Sequence, residues 1–185
     1  MVVFRSRRAD TLRVILDVNT QCDFLMPRGA IPVANRDDVI PPLRRMMEWA
    51  RTHAVPVISS VDAHRPQEPI NGIPRHCIDN TYGQRKLPFT LLPRRIVLSS
   101  DNTLDVPCGI LSRYRQIILA KRSRDFLNNP KADRIISDLS VNHYIVFGVA
   151  TEICVKSVVL GLSGGIDSAL TACLAWITHT RLVVQ

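Results

Sequence analysis

Nothing in this sequence pairs its cysteines. The 185 residues hold five of them (Cys22, Cys77, Cys108, Cys154 and Cys173), an odd number with no CxxC spacing. A disulfide framework is therefore not expected, and a reducing compartment, the cytoplasm, is. The chain also lacks any apolar run near the roughly 20 residues that a membrane-spanning helix needs. Blocks of like charge are missing too: 24 Lys and Arg against 16 Asp and Glu leave a net charge of +8, spread as pairs such as Arg7–Arg8, Arg44–Arg45 and Arg94–Arg95. With no basic helix and no aromatic stripe, no nucleic-acid partner is expected, although such a field favours anionic substrates or cofactors. Gly and Pro are few and charged residues make up 22%, which excludes collagen-like repeats and intrinsic disorder.

What is present is 46% hydrophobic sequence, enough to bury a core in one domain over residues 11–185, behind an N-terminal arm over 1–10. Leu12 to Val18 (LRVILDV), Val55 to Val61 (VPVISSV), Gln116 to Ala120 (QIILA) and His143 to Gly148 (HYIVFG) are short apolar runs of the kind that buried parallel strands show. A helix is expected to open at Pro41, with Leu43, Met46, Met47 and Ala50 on one face. Another is expected around Lys131 to Leu139. A third runs over Thr151 to Leu162, burying Ile153, Val155, Val158, Val159 and Leu162. Residues 65–95 show no sustained period and are read as a long functional loop. Strands alternating with helices predict a three-layer α/β/α fold around a central parallel sheet.

In such sheets ligands bind beyond the carboxyl ends of the strands. That rule singles out Asp17, Asp62 with His64, Lys121 and Cys154. A cysteine at a helix start has its thiolate favoured by free N–H groups and by a nearby lysine, and a carboxylate beside it can take the thiol proton and return it to a leaving amine. Asp62 and His64, two apart in an extended segment, point the same way, and His76 can close from the loop. Three N/O ligands of this kind describe a catalytic divalent site, for zinc or for manganese or iron.

The segments DVNTQCDF (Asp17, Gln21, Asp23, Phe24), QIILAK (Lys121) and GVATEIC (Cys154) together resemble the isochorismatase-like cysteine hydrolases, with the nicotinamidases as the nearest members in character. The resemblance runs from about residue 12 to 162. It implies a catalytic triad of Asp17, Lys121 and Cys154, and a substrate-binding role for Phe24. It also implies a cis Val149–Ala150 peptide that aims the Ala150 and Cys154 N–H groups into an oxyanion hole. Many members place the first aspartate four residues before the DF pair; here Asp17 lies six before Asp23, and Asp17 is kept as the catalytic carboxylate in preference to Asp23. Asp62, His64 and His76 resemble the nicotinamidase metal site, in which the ion holds a pyridine nitrogen.

The implied reaction is metal-dependent hydrolysis of a small carboxamide, nicotinamide to nicotinate and ammonia, by an enzyme that is a homo-oligomer. The alternatives are hydrolysis of another small amide or ureido compound with a vestigial metal site, and a non-catalytic nucleotide-binding scaffold. The last rests on SGGIDS (163–168), which is similar to the pyrophosphate loop of ATP-cleaving amidotransferases such as NAD synthetase. Only 17 residues follow Ser168, too few for an adenine-binding domain, so the segment is read as a turn ending the cysteine-bearing helix. The tail over 163–185 is expected to be atypical of the family, with its last strand beginning at Ala169.

Overall fold

The computed structural model describes residues 13–69, 73–101, 103–139, 141, 143–155 and 157–158. The N-terminal arm, the SGGIDS segment and the tail all lie outside these residues. The described strands and α-helices are β1 (Arg13–Val18), α1 (Cys22–Leu25), α2 (Arg36–Thr52), β2 (Val57–Asp62), β3 (Arg95–Leu98), α3 (Ile110–Arg113), β4 (Gln116–Lys121), α4 (Ala132–Ser137) and β5 (His143–Gly148), with short 3-10 turns at Pro88–Thr90 and Phe126–Asn128 and a π-type turn over Thr151–Val155. The five strands form one sheet in the order β3-β4-β2-β1-β5, and every pairing is parallel. None of the helices is long and apolar enough to cross a membrane, among the described residues.

The four expected strands all form, and each lies in the sheet with side chains buried on both faces. β3 falls at the end of the segment read as loop, because Arg95–Leu98 is a short edge strand with an exposed Val97 and shows no buried run to detect. Helix α2 starts at Arg36, not at Pro41; Asp37 and Asp38 sit in its first turn, where the helix dipole favours negative charge, and Pro41 and Pro42 lie inside it. Its buried face is Val39, Leu43, Met47 and Ala50, a spacing of four, four and three. Ile153 was expected to be buried and is 41% exposed. The cause is the turn at 151–155, where the Val155 N–H reaches back five residues to the Ala150 carbonyl (3.2 Å) and rotates the face that packs inward to Cys154, Val155 and Val158.

Two cores flank the sheet. Val14, Leu16, Val18, Ile58, Ile117 and Leu119 pack with α4 and with Cys154 and Val155 on one face. Ile15, Val57 and Phe147 pack with α2 and Cys77 on the other. Side chains alternate between these faces along each strand, which decides where every catalytic candidate points. β1 and β5 run so close at Gly148 (φ +140°) that a Cβ there would stand 1.9 Å from the Val18 carbonyl oxygen.

Candidate active site

Asp62 and Lys121 occupy the same register position on β2 and β4. Both extend the parity of Ile58, Ile117 and Leu119, so their side chains project on the face that carries Cys154. There the Lys121 ammonium pairs with Asp62 Oδ1 and donates to the Ser123 carbonyl (2.8 Å). Both groups are almost fully buried, so neither is screened by water, and the pair is held by additional hydrogen bonds. Asn19 donates Nδ2–H to Asp62 Oδ2 (3.2 Å) and accepts from the Ser60 hydroxyl (2.9 Å). Gln21 braces the Asp62 backbone from both sides, accepting its N–H (2.8 Å) and donating to its carbonyl (2.9 Å).

Cys154 is 7% exposed. Burial pushes its thiol above the ordinary range; Lys121 draws it back down, Asp62 raises it, and a backbone hydrogen bond from Ala150 and the charge of Arg124 lower it. The thiolate expected from the helix-start position is thus opposed by desolvation. The Val149–Ala150 peptide is cis. Of the two expected oxyanion-hole donors, Ala150 faces the sulfur, whereas the Cys154 N–H is donated to the Ala150 carbonyl at 3.0 Å.

Asp17 is not brought to this group. It follows the parity of Ile15, on the opposite face of the sheet, and its carboxylate accepts from the Thr20 hydroxyl (2.8 Å), the Ser59 hydroxyl (2.9 Å) and the Lys86 ammonium (2.7 Å). The residue four before Asp23, where many members of the resembling family carry their first aspartate, is Asn19. Its φ of +52°, a conformation that asparagine tolerates better than most residues, ends the strand alternation and turns its amide toward Asp62. The signal for Asn19 was therefore the spacing to Asp23. Asp23 itself is a loop clamp, accepting the Ala30 N–H (2.9 Å) and the Cys77 N–H (2.6 Å). Lys86 carried no signal in the sequence, and Gln21 stood out only as part of the DVNTQCDF segment, since the partners of both come from remote segments.

Asp62, His64 and His76 converge, each offering a ligand atom within 4.8 Å of the others. His76 Nδ1 must donate to the Pro74 carbonyl (2.8 Å), which leaves its Nε2 lone pair directed at the cluster, 3.8 Å from Asp62 Oδ2. Among the described residues, His64 Nδ1 is buried with no close hydrogen-bond partner, and Glu68 Oε1 stands at the edge of reach, 3.6 Å away. An orphaned imidazole nitrogen, a second imidazole held in the ligating tautomer and a carboxylate are a donor set that fits a divalent ion. Phe24 packs its ring against His76 (centroids 5.5 Å apart) in the core beside α2. It does not line the open cavity of about 650 Å³ over the cluster. Asp62, His64 and His76 line that cavity together with Arg122 to Asp125.

The parallel sheet thus carries a cysteine, a lysine–carboxylate pair and a histidine–aspartate cluster beyond its strand ends. The chain belongs to the isochorismatase-domain family, whose model matches residues 13–163, and so to a family of hydrolases. Among solved structures, it is similar to an isochorismatase-like hydrolase from Alkaliphilus metalliredigens (18% identity, 85% of this chain and 78% of that one, TM-score 0.65). It is also similar to the pyrazinamidase of Pyrococcus horikoshii in complex with zinc (22% identity, 86% and 83%, TM-score 0.61) and to N-carbamoylsarcosine amidase from Thermoplasma acidophilum (18%, 80% and 74%, TM-score 0.59). Among curated proteins none matches it in sequence.

Proposed function

We propose that the protein hydrolyses a small carboxamide through a thioester on Cys154. The observation that carries this is the meeting of Cys154 with the buried Asp62–Lys121 pair at the open end of the sheet. The thiol proton passes to the Asp62–Lys121 pair, and the sulfur attacks the carboxamide carbon. The Ala150 N–H supports the oxyanion as the C–N bond breaks. The departing nitrogen takes the proton and leaves as ammonia; water then cleaves the thioester, releasing the carboxylic acid and restoring the thiol. The proton role passes from Asp17 to Asp62 because only Asp62 shares a face with Lys121 and Cys154.

Asp62, His64 and His76 would hold a divalent ion, zinc or a metal of similar preference, and such an ion supplies a Lewis-acidic position that can orient a substrate atom. Asn19, Gln21 and Lys121 hold the Asp62 carboxylate in place whether or not an ion is bound. Nicotinamide, whose ring nitrogen could ligate the ion, is the reference substrate within this reading.

The test is ammonia release by purified protein from a panel that includes nicotinamide, benzamide, aliphatic amides and N-carbamoyl compounds. Turnover of at least one, abolished in Cys154→Ala with the fold intact by circular dichroism, is the expected result. Turnover retained in Cys154→Ala would overturn the assignment of the nucleophile.

A further inference from the structure

We infer that Arg124 is a substrate-binding residue, and that the amide cleaved at Cys154 carries a carboxylate or a similar anionic group at its far end. The inference rests on the amide-hydrolase reading and names its substrate class. The cavity over the cluster has two arginines in its wall, Arg122 and Arg124. Arg122 is committed: it donates to the Ala63 carbonyl (2.6 Å) and lies 3.4 Å from Glu68 Oε2 and 3.5 Å from Asp79 Oδ2. Arg124 makes no hydrogen bond or ion pair among the described residues, although its charge is felt at the Cys154 thiol.

The carboxylates that share the wall are already engaged. Asp62 is held by Lys121, Glu68 by Arg122 and by the Arg65 N–H, and Asp125 also has a partner. Asp62 and Glu68 are thus held by other cations and Arg124 forms no ion pair among the described residues, so its guanidinium is placed to meet a ligand in the cavity, near enough for its charge to reach the Cys154 thiol. A guanidinium binds a carboxylate through two parallel N–H bonds, and a neutral amide gives it nothing comparable. The chain's net charge of +8 would draw the same ligands.

The experiment compares kcat/KM for succinamate and for 4-oxopentanamide, in which a methyl ketone replaces the carboxylate. Using the ratio cancels any effect of Arg124 on the thiol. Wild-type protein is expected to favour succinamate by about ten- to a hundredfold, the range of a charge-assisted hydrogen bond. Arg124→Gln should bring the ratio near one, mainly through KM, and Arg124→Lys should keep part of it. A wild-type ratio near one, or a preference that survives Arg124→Gln, would overturn the inference. Calorimetric binding of succinate to Cys154→Ala protein reads the same site without turnover. Binding lost on adding Arg124→Gln supports the anion site even if no amide is cleaved, in which case the hydrolase reading alone fails. Absence of succinate binding overturns the inference.

Discussion

Lys121 and Asp62 stand opposite one another on β4 and β2, and their buried side chains form an ion pair on the face of the sheet that holds Cys154. Each acts on the thiol in the opposite sense, the lysine lowering its pKa and the aspartate raising it, on top of the upward push of burial. Beyond burial, the Cys154 thiol thus feels a pair that can be taken apart.

Because the thiol is shifted upward, iodoacetamide alkylation of Cys154 in chelated protein should increase with pH through and beyond the ordinary thiol range. Lys121→Met should move the midpoint of that profile to higher pH and Asp62→Asn to lower pH. The double variant should lie between the two single variants, because the two opposing charges have been removed together. A profile indifferent to Lys121→Met would show that the lysine does not act on the sulfur.

Lys86 and Asp17 form a second buried pair, on the other face. Burial already lowers the Lys86 pKa, so when Asp17 loses its charge the lysine can shed its proton, while the substituting amide can still accept from Thr20 and Ser59. Lys86→Met is expected to destabilise the fold by about 3–5 kcal/mol in urea unfolding, and Asp17→Asn by less. The folded Asp17→Asn protein should keep its kcat; a fall of about 10²–10⁴-fold at unchanged stability would instead make Asp17 the proton carrier.

The orphaned Nδ1 of His64 and the fixed tautomer of His76 predict about one zinc per chain by elemental analysis after purification without chelator. His76→Ala should reduce metal retention by one to two orders of magnitude while leaving thermal unfolding of the chelated protein nearly unchanged, because the core does not depend on the ion. Equal zinc content in wild type and His76→Ala would place the ion elsewhere.

Gly148→Ala should cost about 1–3 kcal/mol or more, because its Cβ would stand 1.9 Å from a backbone oxygen of the neighbouring strand at a φ of +140°. Thermal denaturation checks this, and a variant as stable as wild type would mean that β1 and β5 separate easily.

The sequence by itself determined the parallel sheet, since four of its strands are short apolar runs whose burial on both faces is written in composition. It also determined that Lys121 and Cys154 stand at strand ends and that Asp62, His64 and His76 can converge, because these depend on position after a strand and on local alternation. The edge strand β3 was not legible, as a half-exposed run of four residues looks like loop.

Only the tertiary structure decided which carboxylate meets Lys121. Asp17 and Asp62 both lie near strand ends, but strand parity sends Asp17 to the α2 face, where Lys86 arrives from 69 residues away. Register between β2 and β4 sets Asp62 directly against Lys121. The same is true of Arg124: its identity was plain, but that it lies in a cavity wall while Arg122 is tied down depends on partners brought from distant segments. Alternation is a local rule that a sequence displays, whereas register and loop closure are fixed only when remote segments pack together.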